Sequence, residues 1–202
     1  MAEEGVAPVI VGTTLAFIGI FALDRLAGGP SRRLPLSDIV NPSSVASLAH
    51  HLSASTEEEF VVKAWRIAGE EIRYEPVGSS LVFTDHSVLC KKCLIPSAVL
   101  ARGIANCVGK SALLASLMRN RIPSERVVLA IGELRTNSGG GHAWVLYKRA
   151  DGDWYVLEAT RPPSTWVKAS SMAAVYVPEV VFNDKTYTCD NPSLCITVNA
   201  AG

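Results

Sequence analysis

The sequence predicts an α+β domain of amphipathic helices and an antiparallel sheet, and three observations lead there. Two segments carry apolar residues at three- and four-residue intervals, as buried helix faces do. Three later segments read as strands, bounded by glycine-rich or proline-containing stretches. Finally, Ala150, Asp151 and Gly152 join the last two of those strands as a hairpin. At 202 residues the chain has room for one ordinary domain and an appendage, since domains commonly run to roughly 100–200 residues.

Lys plus Arg and Asp plus Glu both number 19, so no global basic field exists to hold a nucleic-acid backbone, and nucleic acid is not an expected partner. The mean hydropathy of +0.24 is high, and part of the excess lies in GVAPVIVGTTLAFIGIFAL, residues 5–23, which contains no charge. As a helix this stretch would be ~28 Å long, enough for a hydrocarbon core of ~30 Å. Glu3 and Glu4 precede it in place of a basic leader and no small-residue cleavage site follows Leu23, so residues 1–24 read as an uncleaved membrane anchor. Arg25, Arg32 and Arg33 follow the span, which by the positive-inside bias places the domain in the cytoplasm. Residues 25–54, rich in Gly, Pro and Ser, read as a linker or surface arm, and 55–202 as the folded domain.

Within that domain, Ser55 and Glu58 resemble a capping box that opens a helix. Phe60, Val61, Ala64, Trp65, Ala68 and Ile72 form its buried face through Arg73. Residues 75–98 read as a loop. A second helix runs from Cys107 to Asn120, with an apolar stripe and a polar one of Lys110, Ser111, Ser116 and Arg119. Strands follow at 126–135, 142–149 and 153–160, then a short helix at 169–174 and a strand-like run, VYVPEVVF, interrupted by Pro178.

Five cysteines, Cys90, Cys93, Cys107, Cys189 and Cys195, leave at least one thiol free and agree with a reducing compartment. Cys90 and Cys93 form a C-x-x-C, and with Cys189 and Cys195 could supply four thiolates to zinc. The spacing of Cys189 and Cys195 is looser than metal knuckles use. Free thiols, or two disulfides if the domain faces outside, account for these four residues better.

Cys107 is different. It stands at a helix start, His142 starts a strand 35 residues on, and Glu158 lies 16 residues further, near the end of the neighbouring hairpin strand. A helix N-terminus and a nearby imidazolium both favour thiolate over thiol. The thiolate can attack an acyl carbon, His142 can return a proton to the leaving amine, and Glu158 can hold the imidazole tautomer. A hairpin register offset by one or two residues would bring His142 and Glu158 to one sheet face.

The segments AWRIAGEEIRYEP, LARGIANCVGKSALLASLMRNRIPSERVVLAIG, GHAWVLY and WYVLEATRP together resemble the transglutaminase-like superfamily of cysteine enzymes over roughly Ser55 to Arg161. The resemblance implies a papain-like α+β core in which the cysteine-bearing helix packs on an antiparallel sheet, with Cys107 as nucleophile, His142 as base and acid, and Glu158 as the orienting residue. The chain departs from the family pattern in having Glu158 where aspartate is usual, and Asn106 and Lys110 where many members have aspartate.

The expected function is hydrolysis of an amide bond in a protein or peptide through an acyl-thioester on Cys107, chemistry that needs no metal or cofactor. The alternative is a catalytically silent member of the same fold, serving as a binding or assembly module in a membrane or virion complex.

Overall fold

The computed structural model of the chain describes residues 32–76, 79–84, 87–91, 93–136, 139–189 and 198–200. The apolar segment 5–23 lies outside these residues, and no described helix is long and apolar enough to cross a membrane.

The expected arm is part of the domain. The chain forms strand β1 (Arg32–Pro35), helix α1 (Leu36–Ile39), a 3-10 turn at Ser43–Val45 and helix α2 (Ala46–His51). Leu36, Ile39, Val40, Val45 and Ala49 are buried in the main core. Burial stabilises by about 1.5–3 kcal/mol for each large apolar side chain, so this stretch is anchored, and the domain begins upstream of Ser55. The Pro and Ser residues that read as linker form turns instead: Ser43 Oγ and the Ser44 amide both donate to Asn41 Oδ1, at 2.7 and 3.1 Å.

Helix α3 (Glu57–Arg66) starts one residue later than the Ser55 reading placed it. Thr56 is the N-cap, its hydroxyl accepting from the Glu59 amide at 3.1 Å, while the Glu59 carboxylate accepts from the Ser55 amide at 2.8 Å. Phe60, Val61, Ala64 and Trp65 are buried as the periodicity requires, but beyond Arg66 the helix widens into a π-turn, Ile67–Glu71. Strand β2 (Arg73–Tyr74) follows.

The expected loop at 75–98 contains three elements. These are strands β3 (Ser79–Thr84) and β4 (Ser87–Lys91) and helix α4 (Pro96–Arg102). Strands β3 and β4 pair with each other, and the sheet around them is completed from remote sequence: β4 also pairs with β1, and β3 with β12 (Val198–Ala200), in a four-stranded antiparallel sheet. Strand β5 (Ile104–Ala105) pairs with β2 in parallel and delivers the chain to helix α5 (Cys107–Met118).

The main sheet has six strands in the order β11-β10-β6-β7-β8-β9, every neighbouring pair antiparallel. They are β6 (Val127–Leu134), β7 (Gly140–Lys148), β8 (Trp154–Leu157), β9 (Val167–Lys168), β10 (Tyr176–Phe182) and β11 (Tyr187–Cys189). The hairpin between β7 and β8 turns where the sequence placed it, with Gly152 at φ +88°. Helix α5 packs on the face carrying Leu129, Ile131, Val145, Tyr147, Leu157, Val180 and Phe182. All twelve of its residues are buried, so the expected polar stripe faces protein, not solvent. Ser111 Oγ donates to the Ala143 carbonyl at 2.9 Å, and Ser116 Oγ to the Ala112 carbonyl at 2.7 Å. Helix α5 is therefore central, enclosed by the sheet, α3, α4 and the 36–51 arm.

Candidate active site

The cysteine is placed by a cap. Asn106 precedes α5 in extended conformation, and its Oδ1 accepts from the Gly109 amide at 3.1 Å, leaving Cys107 as the first helical residue. The first-turn amides of Cys107 and Val108 have no intrahelical acceptor, so they point donors and the positive end of the helix dipole toward whatever meets the sulfur. Cys107 is free and 1% exposed.

The histidine and the acid are placed by strand register. His142 stands on β7 opposite Gly132 of β6. On its other side β8 ends at Leu157, which pairs with Val145. Continuing that register sets Glu158 across from Trp144, on the sheet face of Trp144 and His142 and diagonal to the imidazole. His142 Nε2 lies 2.7 Å from Glu158 Oε2; the hairpin keeps the register centred on Asp151 without the expected offset of one or two residues, and the two side chains meet diagonally on one face. The Cys107 sulfur also acts on the ring and helps to raise its pKa. With Nε2 engaged by Glu158, Nδ1 is the ring nitrogen left for the sulfur.

Glu158 is held on all sides. Oε2 accepts from His142 and from the Tyr176 hydroxyl at 3.1 Å, and Oε1 accepts from the Thr160 amide at 2.9 Å and the Thr160 hydroxyl at 2.7 Å. Its main-chain carbonyl accepts from the Trp65 indole at 2.8 Å. Burial alone would push this carboxyl up, but the hydrogen bonds and charge of His142 and the Thr160 donors outweigh it and hold the pKa below the ordinary value. Burial likewise pushes the imidazole down. The Cys107 sulfur and the Glu158 carboxylate overcome this and raise the His142 pKa to about 9. The ring is thus protonated at neutral pH.

Tyr74 completes the neighbourhood. It pairs with Ala105, two residues before the cysteine, and is 37% exposed. Its phenol is held above its ordinary pKa by burial and then by the charges of Cys107 and Glu158. Neither Tyr74 nor Tyr176 was singled out by the sequence: both come to the site through strand pairings that no local pattern reveals. Thr160 carried a weak signal, a hydroxyl residue two positions after a carboxylate.

Cys90 and Cys93 are joined in a disulfide, which occupies both sulfurs of the C-x-x-C. Cys189 contributes backbone to β11, and Cys195 lies outside the described residues. Among the described residues no cluster of three or more His, Cys, Asp or Glu is placed to hold a metal ion.

No known family model matches the chain, and no curated protein matches it in sequence. Solved structures do. Legionella pneumophila LapG is similar over 78% of this chain and 90% of its own, with a TM-score of 0.54 at 14% identity. Its EGTA-treated form matches over 79% and 89%, with a TM-score of 0.55 at 14% identity. A candidate cysteine protease from Cytophaga hutchinsonii matches over 78% of this chain and 51% of its own, with a TM-score of 0.50 at 16% identity. At such identities the likeness concerns the fold: this is an α+β chain of cysteine-protease-like architecture.

Proposed function

We propose that the chain is a cysteine hydrolase of transglutaminase-like type that cleaves an amide bond in a protein or peptide. The observation that carries this reading is the His142–Glu158 hydrogen bond of 2.7 Å beside the buried Cys107 at the start of α5, with both the sulfur and the carboxylate raising the imidazole pKa. The thiolate attacks the carbonyl carbon, forming a C–S bond and an oxyanion that first-turn amides of α5 are oriented to receive. The C–N bond then breaks, and His142 gives its proton to the leaving amine. Water attacks the resulting thioester with His142 as base, releasing a carboxylic acid and restoring the thiol. Glu158 remains charged throughout and fixes the imidazole. The cysteine-protease-like fold supports a polypeptide substrate, and the apolar segment 5–23 supports attachment of the domain to a membrane.

A second reading, a silent binding module, is favoured by one observation. Cys107 is almost fully covered, so a substrate must displace part of the wall to reach it. Incubation of the full chain with a peptide library, with products identified by mass spectrometry, separates the two. New termini that vanish in both Cys107→Ala and His142→Ala support the hydrolase; cleavage that persists in both variants refutes it.

A further inference from the structure

Lys110 lies one helical turn beyond Cys107 on α5 and is 1% exposed. Burying an ammonium costs several kcal/mol on the order-of-magnitude scale unless its protons are met. Here Nζ donates to the Ile72 carbonyl at 2.7 Å and the Gly69 carbonyl at 3.3 Å. Both acceptors are at the end of the π-turn that extends α3, where the helix dipole is negative.

That same element carries the acid. Trp65 of α3 donates its indole proton to the Glu158 carbonyl. Gly69 packs so closely on the loop after Glu158 that an added Cβ would stand 2.2 Å from the Arg161 carbonyl oxygen. Glu158 is faced by His142 from β7, Tyr176 from β10, Tyr74 from β2 and Thr160 from its own loop; burial pulls the Lys110 pKa below its ordinary value, and the charge of Glu158 opposes that pull and favours the ammonium. With a neutral imidazole, Lys110 balances the buried carboxylate. With a thiolate–imidazolium pair formed, the four groups still sum to zero.

We infer that Lys110 is a positioning residue of this site: its ammonium clamps the platform that holds Glu158 to the cysteine helix and supplies the counter-charge to that carboxylate. This rests on the hydrolase reading for its catalytic consequence but not for its electrostatic one.

The test uses the folded full chain and the variants Lys110→Gln and Lys110→Arg, with folding checked by circular dichroism. Two readouts are taken: the side-chain carboxyl titration of Glu158 by carbon NMR, and acylation of Cys107 by p-nitrophenyl acetate. Lys110→Gln, which keeps a donor without charge, raises the Glu158 midpoint by roughly one pH unit and slows acylation at pH 7 by about tenfold. Lys110→Arg restores the midpoint. A Glu158 midpoint unchanged in Lys110→Gln overturns the inference. A shifted midpoint alongside acylation that is equally fast in the parent chain and in His142→Ala keeps the electrostatic role and rejects the hydrolase reading.

Discussion

His142 Nε2 and Glu158 Oε2 are 2.7 Å apart although the acid belongs to no strand, because β8 stops one residue before it. The strand fixes the direction in which Glu158 leaves the sheet, and the loop beyond it provides Thr160 to hold the carboxylate. Glutamate, longer than aspartate by one methylene, reaches the ring from this retracted position.

Glu158→Gln keeps the shape of the side chain and removes its charge. Turnover should fall by about 10²-fold or more. The His142 ring, followed by proton NMR, should titrate well below about 9, toward its ordinary value. A midpoint that does not move would mean that the pair is not coupled.

The pH dependence follows from the raised His142 value. The imidazolium that supplies the leaving-group proton persists to about pH 9 and is lost above it, so kcat/KM should decline as pH rises through about 9. Stability has the same sign. A pKa raised by folding stabilises fully below the unfolded value of ~6.5, and that contribution disappears as pH climbs to the folded one. The difference in Tm between the parent chain and His142→Ala should therefore shrink on the alkaline side. A difference that grows with pH would contradict this sign.

Tyr176→Phe deletes one donor to the carboxylate and nothing else on the sheet. A hydrogen bond to a charged group contributes about 1.5–3 kcal/mol. Turnover should drop by roughly tenfold with KM little changed, since the ring still packs on Trp144. Steady-state kinetics at pH 7 decide it, and an unchanged kcat would remove Tyr176 from the site.

Gly69→Ala places a methyl group against the Arg161 carbonyl, where both sides are backbone and neither can rotate away. The chain should lose about 1–3 kcal/mol of stability, read as a lower denaturation midpoint. The residual folded protein should turn over more slowly because the loop after Glu158 has moved. Wild-type stability and rate together would show that the π-turn does not brace the acid.

The parts of the fold legible in the sequence are those governed by local pattern. The start of α5 at Cys107, strands β6 to β8 and the Gly152 turn come from capping, alternation and glycine chemistry. The hairpin carried the His142–Glu158 contact because its turn sets its register. What escaped depends on remote partners. The 32–51 arm reads as linker until Ile39 and Val40 meet α5 and its neighbours, and β3 and β4 read as loop until β1 and β12 flank them. Lys110 and Ser111 read only as part of a polar stripe, and their burial is not legible because periodicity does not distinguish a half-buried helix from one enclosed on every side.

Activation of Cys107 by His142 is tested by iodoacetamide alkylation, which needs no knowledge of the substrate. The modification rate at Cys107 is followed by peptide mass spectrometry at mildly acidic pH, where an unassisted thiol reacts slowly. Rapid modification is expected in the parent chain, with a fall of at least about tenfold in His142→Ala. Slow modification in both, with no difference between them, would contradict that activation and leave the fold as a binding module.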